Sequence, residues 1–543
     1  MVDMKLVDAA FQEPDFDSLP VRAVVRNWKT NCAKKVVIAD LQTELTGFKA
    51  LVGAFVLRGQ FRKFLAEDER NVGILVPPCV PSVLTNAALT LDRRVTVNLN
   101  YTVNPDVLNK CIEKVNIRHL ITSRKVLEKF NFQPNCEVIF LEDVKAQVTK
   151  WDKVSALAFA AMPISWIYRK LGLNDIDPND TMTILFTSGS TGMPRGVMLS
   201  HLNIGGNIKC YSDFFSFTSK ESMLGALPFF HSFGFTGPLW TVLTRGMSGY
   251  YHTSPLEYRM LQRLCRKFKP TIMLGTPTFL RTYARKMERE DLESVNLVIA
   301  GAERCPAELM DEYERKFGVR PTEGFGITET SPVIAANIPK SHHSRGWEPL
   351  PKAGSCGFPM PGIKVKILNL ETGKPCGVNE VGMLWVKGNN VMKGYYGDPE
   401  KTAEVLKDGW YCTGDLVHQD EDNFLFVAGR LSRFAKIGGE MVPHEGLEEA
   451  LNQIIGHKAE DEPQICVTSV PDEKKGERLA VLYTELPCSP QELNSKLLEM
   501  KFPSLWVPAN DSYFKVEQIP ILGTGKLDLF AIQQKAKELA KNI

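Results

Sequence analysis

The sequence predicts an α/β protein: a large N-terminal domain of doubly wound sheets with a small β-region, followed by a small α+β C-terminal domain. Short apolar, β-rich runs alternate with amphipathic helical patterns over most of the chain, which implies a parallel sheet covered on both faces. After Gly354 the texture changes to alternating strands joined by turns. The last stretch carries strands and helices of its own. At 543 residues the chain is long enough for several such units.

In chain order, the runs "NVGILV" (71–76), "IRHLITS" (117–123), "CEVIFLE" (136–142), "MTILFTS" (182–188), "TIMLG" (271–275) and "LVIAG" (297–301) read as strands. "SPLEYRMLQRLCRKF" and "AELMDEYERKFG" read as amphipathic helices between them. "GIKVKILNLETG" and "VGMLWVKG" form the small β-region. "NFLFVAGRLSRFAKIGGEMV" leads into a final unit with strands at "QICVTSV" and "RLAVLYTEL", a helix at "PQELNSKLLEM" and a helical tail. The domains are expected at 1–430 and 431–543.

A net charge of +2 and the absence of a basic run interleaved with aromatics give no reason to expect nucleic acid as a partner. The 12 cysteines contain no C-x-x-C pair, so neither a zinc site nor a disulfide framework is expected. The opening "MVDMKLVDAAFQEPDFDSLP" has early acids and no apolar h-region, unlike a signal peptide. "ALAFAAMPISWIY" (156–168), with Lys153, Arg169 and Lys170 beside it, is too short to span a bilayer. Two readings stay open for it, a buried or surface helix and an interfacial segment. The chain is expected to be cytoplasmic, with peripheral contact on the inner face of the membrane following from the second reading.

"TSGSTGMPRGV" (187–197) follows an apolar strand. Small residues let backbone N–H groups approach an anion, hydroxyls add donors, and a following helix N-terminus would add a favourable dipole. Thr187, Ser188, Gly189, Ser190, Thr191 and Gly192 therefore read as a phosphate cradle, although a flexible loop has the same composition. No G-K-[ST] closes it, so it is not a Walker loop.

This run resembles the phosphate-binding signature of the adenylate-forming superfamily of acyl-CoA synthetases, luciferases and peptide-synthetase adenylation domains, with Arg195 where Lys is usual. "LPFFHSFGF" (227–235), "EGFGITET" (323–330), "GWYCTGDL" (409–416), "GRLSRFAKIGGEMV" (429–442) and "IPILGTGKLD" (519–528) follow in the family's order. "ALPFFHSFGFTGPLW", "TSPLEYRML", "FLRTYARK", "FAKIGGEMV" and "LGTGKLD" further resemble the acyl-[acyl carrier protein] synthetase half of a bacterial bifunctional acyltransferase/synthetase.

The resemblance implies a two-step reaction. A carboxylate attacks the α-phosphorus of ATP, and a thiol then displaces AMP from the acyl-AMP. It implies that 187–192 and Arg195 hold phosphates, that Glu329 binds Mg²⁺ and that Thr328 donates to the α-phosphate. Gly301, Ala302 and Glu303, with Phe325 and Gly326, would hold the adenine, and Asp415 the ribose diol. Arg430 would reach ribose or phosphate. Lys526 would bridge carboxylate and α-phosphate. His231 would sit where carboxylate and aromatic pocket meet, or else in the core. The aromatic run around it suits an acyl channel or plain core.

The family rotates its small domain between the two steps. Arg433 matches the hinge, and Lys436, Gly438 and Gly439 match the face brought in for thiol attack. Taken singly, Glu329, Arg430 and Lys526 would pass for surface charges, and Asp415 for a turn residue. The implied substrates are a fatty acid, ATP and a thiol: acyl carrier protein, whose acidic surface the cluster Arg430, Arg433 and Lys436 would steer, or CoA.

Overall fold

The runs that read as strands pair side by side. The computed structural model describes residues 19–187, 194–343, 349–437, 440–457, 463–472, 475–521 and 527–541. One sheet has seven strands, in the spatial order Gly394–Tyr395, Arg195–Ser200, Thr181–Thr187, Val95–Asn98, Asn71–Leu75, His119–Thr122 and Glu137–Phe140. Its middle is parallel, with Gly73 opposite both Val97 and Leu120. A second sheet has nine strands and includes the parallel neighbours Ser222–Gly225, Ile272–Gly275, Leu297–Ala300 and Thr322–Gly326. Strands buried on both faces need apolar residues at every position, which is why these runs are continuous rather than alternating.

Helices cover both sheets. In Tyr258–Phe268 the buried Leu261, Leu264 and Cys265 lie one helical turn apart, with Arg266 and Lys267 in its last turn. Pro277–Lys286 starts where Thr276 accepts from the Phe279 amide and Pro277 fixes the first helical φ. Beyond Gly354 a five-stranded sheet contains Lys364–Leu368, Gly382–Lys387, Trp410–Gln419 and Leu425–Arg430. The 3₁₀ turn Leu431–Arg433 follows, and Phe434–Ile437 enters a different five-stranded sheet. That sheet has its own core, including Leu447, Leu451, Val467, Val481, Leu493 and Leu497. Each such burial contributes about 1.5–3 kcal/mol relative to exposure.

Two expectations need correction. The chain does not enter a helix after Thr187. It turns back as an antiparallel strand, with Thr187 opposite Arg195, and the next helix starts only at His201. The loop 188–193 lies outside the described residues, and the described strands that bracket it form a β-hairpin rather than a strand followed by a helix. The segment 156–168 is not one helix either. Pro163 has no amide hydrogen to donate, and the chain forms Lys150–Ala161 and then Ile164–Leu171. Among the described residues no helix is long and apolar enough to cross a membrane. All the cysteines are free thiols.

Candidate active site

The central carboxylate, Glu329, sits in a single 3₁₀ turn, Thr328–Thr330, after the strand Thr322–Gly326. The strand folds back sharply because position 326 is glycine. A Cβ there would stand 1.9 Å from the Pro332 carbonyl oxygen, where the Ile327 amide donates. Thr328 Oγ1 lies 3.2 Å from Ser232 Oγ, which joins the "GFGITET" turn to the "LPFFHSFGF" turn.

A second element closes over Glu329. The Met392 amide donates to its carbonyl at 2.8 Å, and the short strand Gly394–Tyr395 then pairs with the strand that begins at Arg195. Tyr395 consequently points its hydroxyl at the carboxylate and donates to Glu329 Oε1 at 2.9 Å. The Arg195 guanidinium carbon stands 5.6 Å from the centre of the Tyr395 ring, within cation–π range. Tyr411 hydrogen-bonds Tyr395 in turn, and burial pushes both phenols above their ordinary range, so both remain protonated donors.

Asp415 lies on the long strand Trp410–Gln419, opposite Arg430 in register. It is 2% exposed. Its Oδ1 accepts from Arg430 Nε at 3.0 Å, while its Oδ2 is enclosed without a donor among the described residues. Burial pushes the carboxyl above its usual range. Arg430 draws it back, and the nearby charge of Glu329 pushes it up again. An orphaned buried acceptor suits a donor from a ligand, and a vicinal diol offers two.

Other expected residues lie around this centre. The strand Leu297–Ala300 delivers Gly301, with the Phe233 ring packed against it, and Ala302 takes a left-handed backbone at φ 70°. Glu303 accepts from Thr278 Oγ1 at 2.9 Å, and Phe325 is half-buried on its strand. His231 is exposed, with its ring centre 4.5 Å from that of Phe230, so the packed-core reading of this histidine is wrong. Of the aromatics around it, Phe229, Phe235 and Trp240 belong to the main hydrophobic core, Phe233 packs partly buried against that core, and Phe230 is buried in a separate cluster.

The hinge region differs from expectation. Arg433 is buried and paired with Glu448, with Glu445 at 3.5 Å, and it donates to the Val467 carbonyl at 3.1 Å. Burial works against its charge, but Glu448 and Glu445 outweigh that and raise its pKa. It therefore adds nothing to a surface that would steer an acidic partner. Lys436 is exposed and remains available for that. Ser188, Gly189, Ser190, Thr191, Gly192, Gly438, Gly439 and Lys526 lie outside the described residues. Ile521 and Leu527 pair antiparallel around the lysine loop.

Sequence reasoning missed Tyr395, Tyr411 and Ser232 as members of this centre. "GYYGDPE" offers only turn residues as a signal. What places Tyr395 is its long-range strand pairing, which no local pattern reveals.

Residues 59–396 match the model of the AMP-binding enzyme family. The long-chain-fatty-acid–CoA ligase of Bacillus subtilis (strain 168) is 32% identical over 371 residues, 66% of this chain and 62% of that protein. 4-coumarate–CoA ligase 1 of Arabidopsis thaliana is 27% identical over 488 residues, 87% of this chain and 84% of that protein. Among solved structures, O-succinylbenzoate coenzyme A synthetase (MenE) from Bacillus subtilis, in complex with ATP and magnesium ion, superposes with a TM-score of 0.75. It has 21% identity and covers 94% of this chain and 99% of that one.

Proposed function

The chain belongs to the AMP-binding enzyme family, and on that premise we propose that it activates a fatty acid with ATP and passes the acyl group to the thiol of acyl carrier protein. It is an acid–thiol ligase of the adenylate-forming kind. In the first step a carboxylate oxygen bonds to the α-phosphorus and the bond to pyrophosphate breaks. In the second step a thiolate sulfur bonds to the acyl carbon, AMP leaves with the electron pair of the C–O bond, and the thiol proton goes to solvent.

The observation that carries this reading is the contact chain Arg195–Tyr395–Glu329, with Thr328 beside Glu329 and Asp415 within its electrostatic reach. Phosphate-binding, metal-binding and ribose-binding candidates from distant parts of the chain meet there. Attack by one anion on another needs fixed positive charge and donors where charge develops. Arg195 and Thr328 would supply these, with Lys526 and the 187–192 loop completing the set. Arg430 keeps the Asp415 carboxylate oriented for the ribose hydroxyls.

Mg²⁺ fits this site. The Glu329 carboxylate, oriented by the Tyr395 hydroxyl on Oε1, offers an oxygen ligand, and Mg²⁺ is commonly held by one or two carboxylates plus substrate phosphates. Glu329 would hold it, and the ion would neutralise phosphate charge. Glu329→Gln should strongly weaken Mg²⁺-dependent adenylation with little loss of fold stability. A collapsed melting temperature with normal activity in the folded remainder would show Glu329 to be structural instead.

The acceptor rests on the likeness of "FAKIGGEMV" and "LGTGKLD" to the synthetase that uses acyl carrier protein. The second reading, CoA, is supported by the CoA ligases among the relatives. Second-step kinetics with holo-acyl carrier protein and with CoA at matched concentrations, over a salt series, separate them. Higher kcat/KM for the carrier protein is expected. Equal or higher kcat/KM for CoA establishes the second reading.

A further inference from the structure

The helices Lys150–Ala161 and Ile164–Leu171 are fixed to the body on one side only. Ala156, Ala160, Ile167 and Leu171 are buried beneath them. The Phe159 ring lies 4.8 Å from that of Phe55, Lys29 Nζ donates to the Ala160 carbonyl at 2.6 Å, and the Tyr168 hydroxyl donates to the Arg22 carbonyl at 3.0 Å. The opposite side faces solvent and carries large apolar side chains among its polar ones: Trp151 is 81% exposed, Val154 53%, Leu157 49% and Trp166 55%. Positions 151, 154 and 158 share one helical face, and Ala158 is exposed there too. Large apolar side chains grouped this way on a firmly held element mark a contact surface.

Charge decides what it contacts. Lys150, Lys153, Arg169 and Lys170 are exposed around the apolar face. The lone acid of the two helices, Asp152, is engaged by the Thr149 amide and by Lys63 at 3.5 Å. The whole chain has a net charge of only +2, so this basic rim is a local excess. A symmetric dimer through this face would set the four cations against the same four of the second copy. An anionic bilayer takes the tryptophans at its headgroup boundary and the cations at its phosphates.

We infer that the face formed by Trp151, Val154, Leu157 and Trp166 docks the protein on an anionic membrane surface, with both helices lying in the headgroup layer. This goes beyond acyl activation and holds for either thiol acceptor. Its test must avoid Ile167, which is fully buried, so that an acidic substitution there would unfold the helix.

The experiment is flotation of the full chain with phosphatidylglycerol/phosphatidylcholine vesicles and with phosphatidylcholine vesicles, together with quenching of its tryptophan fluorescence by brominated acyl chains. The wild type should bind the anionic vesicles at least about tenfold more tightly than the neutral ones, and be released in about 1 M salt, where the screening length is about 3 Å. The double variant Trp151→Ser/Trp166→Ser and the triple variant Lys153→Ser/Arg169→Ser/Lys170→Ser should each lose at least about tenfold in binding with unchanged melting temperature. Brominated chains should quench the wild type, a readout that needs no variant. Absence of wild-type binding to anionic vesicles, absence of quenching, or wild-type binding by the double variant would overturn the inference. So would a dimer that the double variant abolishes, which would assign the face to a second copy of the chain.

Discussion

At the scale of single residues, Asp415 carries the most specific consequence. Burial raises its pKa in the folded state. The stability it contributes is therefore fully present below its ordinary value of 3.8 and lost as pH rises through the raised folded value. At neutral pH its buried charge costs stability, and Asp415→Asn should hold or raise the melting temperature. On the proposed reading the same change removes the acceptor for the ribose hydroxyls, worth about 1.5–3 kcal/mol for a hydrogen bond to a charged group, so KM for ATP should rise about tenfold or more. A fall in melting temperature with KM unchanged would make Asp415 a structural partner of Arg430. On the proposed reading Tyr395 would act through Glu329, to which it donates, and so serve as a positioning residue. Tyr395→Phe removes one hydroxyl and its 2.9 Å bond to the carboxylate. The Mg²⁺ concentration for half-maximal adenylation should rise about tenfold, as for other groups that orient a metal ligand, with KM for the fatty acid unmoved. An unchanged Mg²⁺ profile would detach Tyr395 from the metal site.

At the scale of elements, the parallel strands were legible because full burial forces unbroken apolar runs, as in "LVIAG". The strand that returns after Thr187, where a helix was expected, was not, because "RGVMLS" is as apolar as its neighbours and only pairing across the sheet shows that it runs antiparallel. Arg433 misled for a related reason: a sequence shows a charge but not the Glu448 that neutralises it fifteen residues away. The lysine loop lies outside the described residues, and its reading rests on sequence alone, where glycines on both sides of Thr524 allow it to extend. On the proposed reading, in which the lysine serves the adenylating step alone, Lys526→Ala should abolish acyl-AMP formation yet largely spare thioester formation from supplied acyl-AMP. Loss of both half-reactions together would place Lys526 outside that division.

At the scale of the whole molecule, two buried histidines make the fold sensitive to acid. Burial holds His201 down at about 4 and His444 at about 3, with Arg433 adding to the effect on His444. A depressed histidine is neutral in the folded state while the unfolded chain takes up a proton near 6.5. Its stabilising contribution is present above that value and is lost as pH falls towards the folded one, at about 1.4 kcal/mol per pH unit for each group. Below pH 6.5 the wild type should therefore lose melting temperature faster than His444→Gln, and parallel curves would show His444 to be charged in the fold. The family and its order of motifs were legible in the sequence. The coupling of Arg195, Tyr395, Glu329 and Asp415 was not, since it arises from strands that meet only in the folded chain. The claim that these residues form one adenylating centre is tested most directly by ATP–pyrophosphate exchange with short, medium and long fatty acids. Exchange is expected that requires both a fatty acid and Mg²⁺ and that disappears in Lys526→Ala. Absence of exchange with every fatty acid, or exchange undiminished in Lys526→Ala, would contradict that claim.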